Sequence, residues 1–552
     1  MIYLFKAGVI GSLLLSSLIS CRKTEVISST LWKPVEIDLR VRNNQDVSWR
    51  EPEIKATFYH KSDTIMIKAF RYDTGIFRLR FTPTYTGLWQ FEIKEASRLV
   101  RKGFVQVSCA DPGNHGFLRR DKEHPYHFVM DDGTRFYMSG TTYYNMLLNA
   151  FAGDKWKTAI DSAMVFGINK MRIFAHSAKS SKTPYPYVSP FQQKNDSADY
   201  SRLNPEYWKS LDEIIQYSFE KGMTVDMIML GYGAATYVTE DLDKQYIRYL
   251  LTRYAAYPNV IWCLTNEWNY IYRDHGRGKP FWNSIGEIIR KEDPYMEYGG
   301  QFRALSIHQQ TRADFQFFNY EWPVHAIVQL VVRNGQGTVK DEWDDTDPEF
   351  KTATRFGDEW GNYSITYNLG HNMPVVNDEF GYMGEPLDRS EASSNDRSTW
   401  PRFTREKHRN VMWGIVLAGG YGSTGDKNTY DDGSPYFSAN WHSDPPEYND
   451  VKILTDFFRS GEIEYWKMKT SNELVLSGNR VYALAEAGRQ YLYYSAAGNS
   501  FKTRIYDGGY KISKLNPVTG NSEEFGETRG GEVTINLDGN QDWAVLILNT
   551  GQ

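Results

Sequence analysis

The sequence predicts an α/β protein built on a (β/α)8 TIM barrel, with an all-β sandwich before it and a second one after it. Three observations predict this. Buried-strand runs alternate with amphipathic helical stretches from about residue 126 to 465. Short alternating strands fill the chain on both sides of that region. Finally, 552 residues exceed the roughly 100–250 that one ordinary domain uses. The expected division is a leader over 1–21, an N-terminal β-sandwich over 26–112, the barrel over 120–465 and a C-terminal β-sandwich over 466–552.

The leader comes first. Lys6 precedes an apolar run, Ala7 to Ile19, too short to span a bilayer but suited to the hydrophobic region of a signal peptide. Leu18-Ile19-Ser20-Cys21 then resembles a bacterial lipobox, in which Cys21 is lipidated and becomes the mature N-terminus. The expected product is an exported lipoprotein held at the bacterial cell envelope. Two other cysteines remain, Cys109 and Cys263, in separate segments, and they make no disulfide framework. Cys263 lies in the apolar run Val260-Ile261-Trp262-Cys263-Leu264, where a thiol behaves as a small core hydrophobe.

The N-terminal strands alternate: Val35 to Leu39, Ile54 to Phe58, Ile76 to Phe81 and Trp89 to Ile93, separated by turn residues such as Pro83 and Gly87. Eight barrel strands are expected at Arg135–Met138, Lys170–Phe174, Thr224–Leu230, Val260–Leu264, Met296–Tyr298, Phe315–Phe318, Pro374–Val376 and Gly414–Leu417. Helices are expected at Trp156–Phe166, Pro205–Glu220 and Asp241–Tyr254. Residues 323–371 read as an acidic, aromatic insertion before the seventh strand, and as a wall of the active site. Strands return at Leu474–Leu476, Tyr491–Tyr494, Val533–Leu537 and Ala544–Leu548.

Composition narrows the function. The formal charge of −5, from 63 basic and 68 acidic residues, supplies no field for a polyanion, and nucleic acid is not an expected partner. Aromatics make up 15% of the chain, and their faces stack on sugar rings as readily as they fill cores. The loop Asp426-Lys427-Asn428-Thr429-Tyr430-Asp431-Asp432 lacks EF-hand spacing, so no metal is expected, and no motif calls for a cofactor.

Two strand ends carry the chemistry. Val260 to Thr265 runs into Asn266-Glu267-Trp268, and Pro374 to Asn377 runs into Asp378-Glu379-Phe380. Working residues of a (β/α)8 barrel project from the C-terminal ends of its strands. A protonated carboxyl that donates to a leaving oxygen, opposite an ionised carboxylate that attacks an anomeric carbon, is what glycoside hydrolysis requires. Asp378 is expected to face away from Glu379, because neighbouring strand residues point to opposite sides; an earlier end to the strand makes it the contender.

Asn266-Glu267 after the fourth strand and Glu379 after the seventh resemble clan A glycoside hydrolases. More narrowly, Asn114-His115-Gly116-Phe117-Leu118, the segment Asp132 to Thr142, and Gly419-Gly420-Tyr421-Gly422 resemble the apiosidase-like bacterial family. That resemblance implies Glu267 as acid/base, Asn266 on the sugar 2-hydroxyl, Glu379 as nucleophile and a retaining mechanism on a plant- or algal-type poly- or oligosaccharide. It indicates fold and reaction class better than the sugar.

Other residues are assigned by position. Arg172 ends the second strand and is expected to orient the nucleophile; His176 follows it as a substrate ligand. Tyr143, Tyr144 and Asn145 follow the first strand and are expected on the pocket floor. Tyr320 and Trp322 are expected after the sixth strand, to support the nucleophile or form a sugar platform, and Trp441 and His442 beyond the eighth, as another subsite wall; His308 reads as a solvated loop residue. The rival reading is a surface glycan-binding lipoprotein whose barrel does no chemistry. A third, an adhesin, needs the sandwiches to bind protein while the barrel only spaces them.

Overall fold

The computed structural model describes residues 25–40, 49–50, 53–61, 63–144, 146–147, 150, 153–175, 189–194, 197–231, 239–307, 317, 320–328, 357–366, 368–381, 403–425 and 446–551. Cys21 and its leader, Asn145, His176, His308, Trp441 and His442 lie outside them.

The eight parallel barrel strands are β1 Ser139–Thr142, β2 Lys170–Phe174, β3 Thr224–Leu230, β4 Val260–Thr265, β5 Leu305–Ser306, β6 Ala326–Val328, β7 Val375–Asn377 and β8 Tyr421–Gly425. Their hydrogen-bonded order is β5-β4-β3-β2-β1-β8-β7-β6, a nearly closed barrel with its seam between β5 and β6. The connecting helices are α1 Lys155–Val165, α2 Pro205–Lys221, α3 Glu240–Tyr254, α4 Trp268–His275, α5 Lys279–Glu292, α6 Asp358–Thr366, α7 Arg405–Leu417 and α8 Pro446–Arg459. Local chemistry sets their limits. Pro205 opens α2 with φ already in the helical range, and Gly222 closes it at φ 77° in the left-handed region. Thr239 caps α3 by accepting from the Leu242 amide, and Glu240, Asp241 and Asp243 fill the first turn, where the helix dipole favours negative charge. α6 and α7 cross at Gly361 and Gly414, where a Cβ would lie 2.3 Å from the Val411 and Asp358 carbonyl oxygens respectively.

Four expected strands move. The first is Ser139–Thr142, directly after the segment expected. Glu297–Tyr298 forms a two-residue hairpin with Gln301–Phe302, and the fifth strand is Leu305–Ser306. The sixth is Ala326–Val328; of the expected Phe315–Phe318, all but Phe317 lie outside the described residues. Gly414–Leu417 is the last turn of α7, and β8 begins at Tyr421. The expected insertion 323–371 therefore holds β6 and α6. The strands expected at Lys170–Phe174 and Thr224–Leu230 stand where the periodicity puts them.

Before the barrel, a five-stranded sheet packs on a three-stranded one over Phe58, Trp89, Phe91 and Leu79; Phe58 and Phe81 stack with centroids 3.7 Å apart. After it, a six-stranded and a three-stranded sheet enclose Tyr491, Tyr493, Phe501 and Val545. Both sandwiches are fastened to the barrel. Tyr295 OH accepts from the Thr82 amide at 2.8 Å on one side. On the other, Arg409 grips Asp542 with two 2.8 Å bonds while Trp413 stacks on Tyr494. A hairpin of Leu118–Arg120 and Phe128–Met130 closes the N-terminal end of the barrel, with Phe128 against His325 and Tyr421. That leaves the C-terminal end for chemistry.

Candidate active site

Strand alternation points Lys170, Arg172 and Phe174 of β2 into the barrel, beside Asp226 and Ile228 of β3. Arg172 and Asp226 are register partners, and each is completely buried. Lys170 Nζ lies 3.0 Å from Asp226 Oδ2 and donates to Asp378 Oδ1. Arg172 Nε stands 3.2 Å from Asp378 Oδ2 and 3.5 Å from Asp226 Oδ2, and Ser423 of β8 donates its hydroxyl to Asp378. Two cations and two carboxylates thus neutralise one another in the barrel interior, the condition under which buried charge is tolerated. Space for them comes from Gly140 of β1, where a Cβ would meet Ser423 Oγ at 2.2 Å and Lys170 Cδ at 2.9 Å.

The two carboxylates titrate apart. Burial opposes ionisation of Asp378, but Lys170 and Arg172 outweigh it and hold its carboxyl well below the usual range. Burial pushes Asp226 up to about 6, against the pull of Lys170 and with the Asp378 charge adding to the rise. β7 ends at Asn377, one residue beyond the expected Val376, and Asp378 directly after it lies in the interior lattice instead of turning outward. Its carboxylate is committed to Lys170, Arg172 and Ser423, which sets it apart from Glu379.

The reactive layer lies above this lattice. Tyr144, two residues past β1, donates its hydroxyl to Glu379 Oε2 at 2.6 Å and accepts from Arg172 Nη1 at 3.1 Å. Arg172 Nη2 donates to Asn266 Oδ1 at 3.2 Å and approaches Cys263 Sγ at 3.9 Å. One guanidinium therefore fixes Asn266 beside Glu267 directly, and Glu379 through Tyr144. Enclosure pushes the Tyr144 phenol well above its ordinary value; Arg172 opposes that rise, and Glu379 and Glu267 both add to it, so Tyr144 stays a donor at neutral pH. Its ring packs on Phe174 at 4.9 Å. Glu267 adopts φ 46°, ψ 57°, a left-handed conformation that a residue with a Cβ resists, at the junction of β4 and α4. Burial pushes the Cys263 thiol up to about 12, so it is an inert filler.

Several expected site residues face elsewhere. Tyr143 turns out of the barrel, its hydroxyl 3.5 Å from the Ala159 carbonyl of α1 and 3.3 Å from Tyr448 of α8. Adjacent residues at a strand end take opposite faces, and Tyr144, not Tyr143, reaches the site. Tyr320 and Trp322 precede the sixth strand instead of following it. Trp322 is buried over Gly286 of α5 and donates to Asn283 Oδ1 at 3.1 Å, a packing role on the outer wall. Tyr320 stands beside Phe317, in the same outer cluster as Trp322. Lys170, Asp226 and Ser423 were not singled out by sequence reasoning. For Lys170 and Asp226 the signal is a charge at alternate positions of an otherwise apolar strand, as in Lys170-Met171-Arg172-Ile173 and Val225-Asp226-Met227.

Comparison with known proteins bears on this geometry. Residues 122–460 match the family model "Apiosidase-like, catalytic domain". The chain belongs to this family of glycoside hydrolases. The enzyme also shares its fold with a protein from Bacteroides vulgatus assigned as a glycoside hydrolase, at TM-score 0.72 and 18% identity, over 95% of this chain and 100% of that one. A family 5 glycoside hydrolase from the same organism aligns at TM-score 0.60 and 17% identity, over 80% and 95% of the two chains. None of the curated proteins compared with the enzyme matches it. The match covers the barrel and leaves both sandwiches outside it.

Proposed function

We propose that the enzyme cleaves glycosidic bonds of a plant- or algal-type polysaccharide, or its oligosaccharides, with net retention. The reading is carried by the Arg172–Tyr144–Glu379 chain of hydrogen bonds, together with the bond from the same guanidinium to Asn266. Glu379 receives the Tyr144 proton as a hydrogen bond, which favours its ionised form. It attacks the anomeric carbon as the glycosidic C–O bond breaks, and Glu267 donates its proton to the departing oxygen. Water then attacks the glycosyl–Glu379 ester, giving its proton to Glu267, and the sugar leaves with the Glu379 carboxylate restored. Asn266, steadied by Arg172, takes the sugar 2-hydroxyl. Cys21 carries the lipid that tethers the exported chain to the cell envelope.

The test is hydrolysis of a broad glycan panel by the mature chain, beside Glu267→Ala and Glu379→Ala. Loss of several orders of magnitude in both variants, with retained anomeric configuration by proton NMR, is the expected result. Cleavage untouched by either change would overturn the assignment. A retaining pair stands about 5–5.5 Å apart and an inverting pair about 6.5–9.5 Å, so a substrate-bound crystal structure checks the stereochemistry independently. Labelled palmitate is expected in the wild type and absent from Cys21→Ser; label in both would refute the anchor.

A further inference from the structure

The N-terminal sandwich meets the outside of the barrel along an open cleft of about 580 Å3, on the flank formed by α1 and α2. One wall is a single stripe of α2: Lys209, Glu213, Gln216 and Glu220 follow at the spacing that brings side chains onto one helical face. The opposite wall is sandwich sheet, where the Arg78 guanidinium sits 3.6 Å over the Tyr72 ring.

The floor is built. Arg80, 1% exposed at its side chain, is held by Glu36 at 2.6 Å and by the Arg253 carbonyl. Arg253 in turn grips Asp212 with bonds of 2.9 and 2.7 Å. Tyr257 OH donates to Gln216 Oε1 at 3.0 Å, and Gln216 Nε2 donates to Glu220 at 2.8 Å. Lys209, by contrast, is exposed to the cleft with no partner among the described residues.

Charge selects the ligand. Four basic and four acidic side chains line the cleft, so it offers no net attraction to a polyanion. Those same charges make it inhospitable to an apolar ligand. A neutral polyhydroxylated chain uses donors and acceptors alike, as this mixed lining offers them. The volume falls within the range of about 300–1,000 Å3 typical of ligand sites, which favour domain junctions. We propose that this cleft is a second binding site for a neutral oligosaccharide segment, by which the enzyme holds its polysaccharide away from the barrel mouth. The proposal rests on the reading of the chain as a polysaccharide-cleaving enzyme.

The test is native-gel retardation of the mature chain carrying Glu379→Ala by xyloglucan, arabinoxylan, galactomannan and the polyanion homogalacturonan. Two variants are added in that background: Lys209→Ala with Glu213→Ala, which places a good helix former at exposed helical positions, and Gln216→Trp, which fills the cleft. Expected is retardation by at least one neutral polysaccharide, weakened tenfold or more in both variants. The same changes in the active chain are expected to raise KM for that polysaccharide while leaving hydrolysis of a short soluble oligosaccharide within twofold. Retardation equal in all three proteins, retardation by homogalacturonan alone, or none by any neutral polysaccharide would overturn the site. The two readings separate cleanly: cleavage with unchanged retardation defeats only the cleft, and cleft-dependent retardation without cleavage by the unmutated chain defeats only the catalytic assignment.

Discussion

Tyr144→Phe removes one oxygen from the centre of the site and leaves the ring against Phe174 in place. The lost hydroxyl donates to Glu379 at 2.6 Å and accepts from Arg172 at 3.1 Å. A hydrogen bond to a charged group contributes about 1.5–3 kcal/mol, and each 1.36 kcal/mol of barrier is tenfold in rate. If the bond acts fully on the nucleophile, kcat falls by roughly 10- to 150-fold. The sign of the pH effect is fixed as well. Tyr144 stabilises ionised Glu379, so its removal raises the carboxyl pKa, and the acid limb of the kcat profile moves to higher pH. The assay is a full pH–rate profile on whichever glycan the wild type cleaves, with a thermal midpoint to show that the variant is folded. An acid limb in its original place, with kcat within twofold, would refute the role of this bond.

Tyr143→Phe provides the contrast, because its hydroxyl faces α1 and α8: kcat stays within twofold, and urea denaturation registers a loss of no more than about 1 kcal/mol. Lys170→Met leaves Asp226 and Asp378 sharing one cation in a closed interior, and equilibrium unfolding is expected to show about 3–5 kcal/mol of lost stability. Asp226 sits at about 6 against an ordinary 3.8, so the folded state binds its proton more tightly than the unfolded chain. Stability is therefore expected to rise by up to roughly 3 kcal/mol as pH falls from 7 to 4, relative to Asp226→Asn measured in parallel; a difference of opposite sign would show the carboxyl ionised throughout. Trp322→Ala should lower stability by about 3–5 kcal/mol while activity per folded molecule is preserved, since the ring packs on Gly286 outside the barrel.

The order of the domains and the strands β2, β3 and β4 were legible because those strands are long and largely apolar. β1 and β8 escaped notice for the opposite reason. Ser139-Gly140-Thr141-Thr142 and Tyr421-Gly422-Ser423-Thr424-Gly425 are small and polar, since they face a bulky lysine and arginine across the interior. β5 and β6, at two and three residues, are too short for any period to register. The site divides similarly. Asn266, Glu267 and Glu379 announce themselves as polar residues directly after apolar strands, and Arg172 as a charge inside one. The choice between Tyr143 and Tyr144 depends on a single step of alternation at a strand end that sequence places only to within a few residues.

The seam between β5 and β6, crossed by hydrogen bonds from the Val324 and His325 amides to the Leu305 carbonyl, has a mechanical side. A hoop cut part-way through at one place transmits force chiefly the long way round. β4 and β7, which deliver Glu267 and Glu379, each stand one strand from that cut. Across the short arc no strand ladder among the described residues ties them beyond those two bonds to Leu305 just before β6, and along the long arc the load passes through β3, β2, β1 and β8 in turn. The gap between the two carboxylates is therefore gauged chiefly from within. Arg172 is the strut, and Tyr144 the spacer at its end.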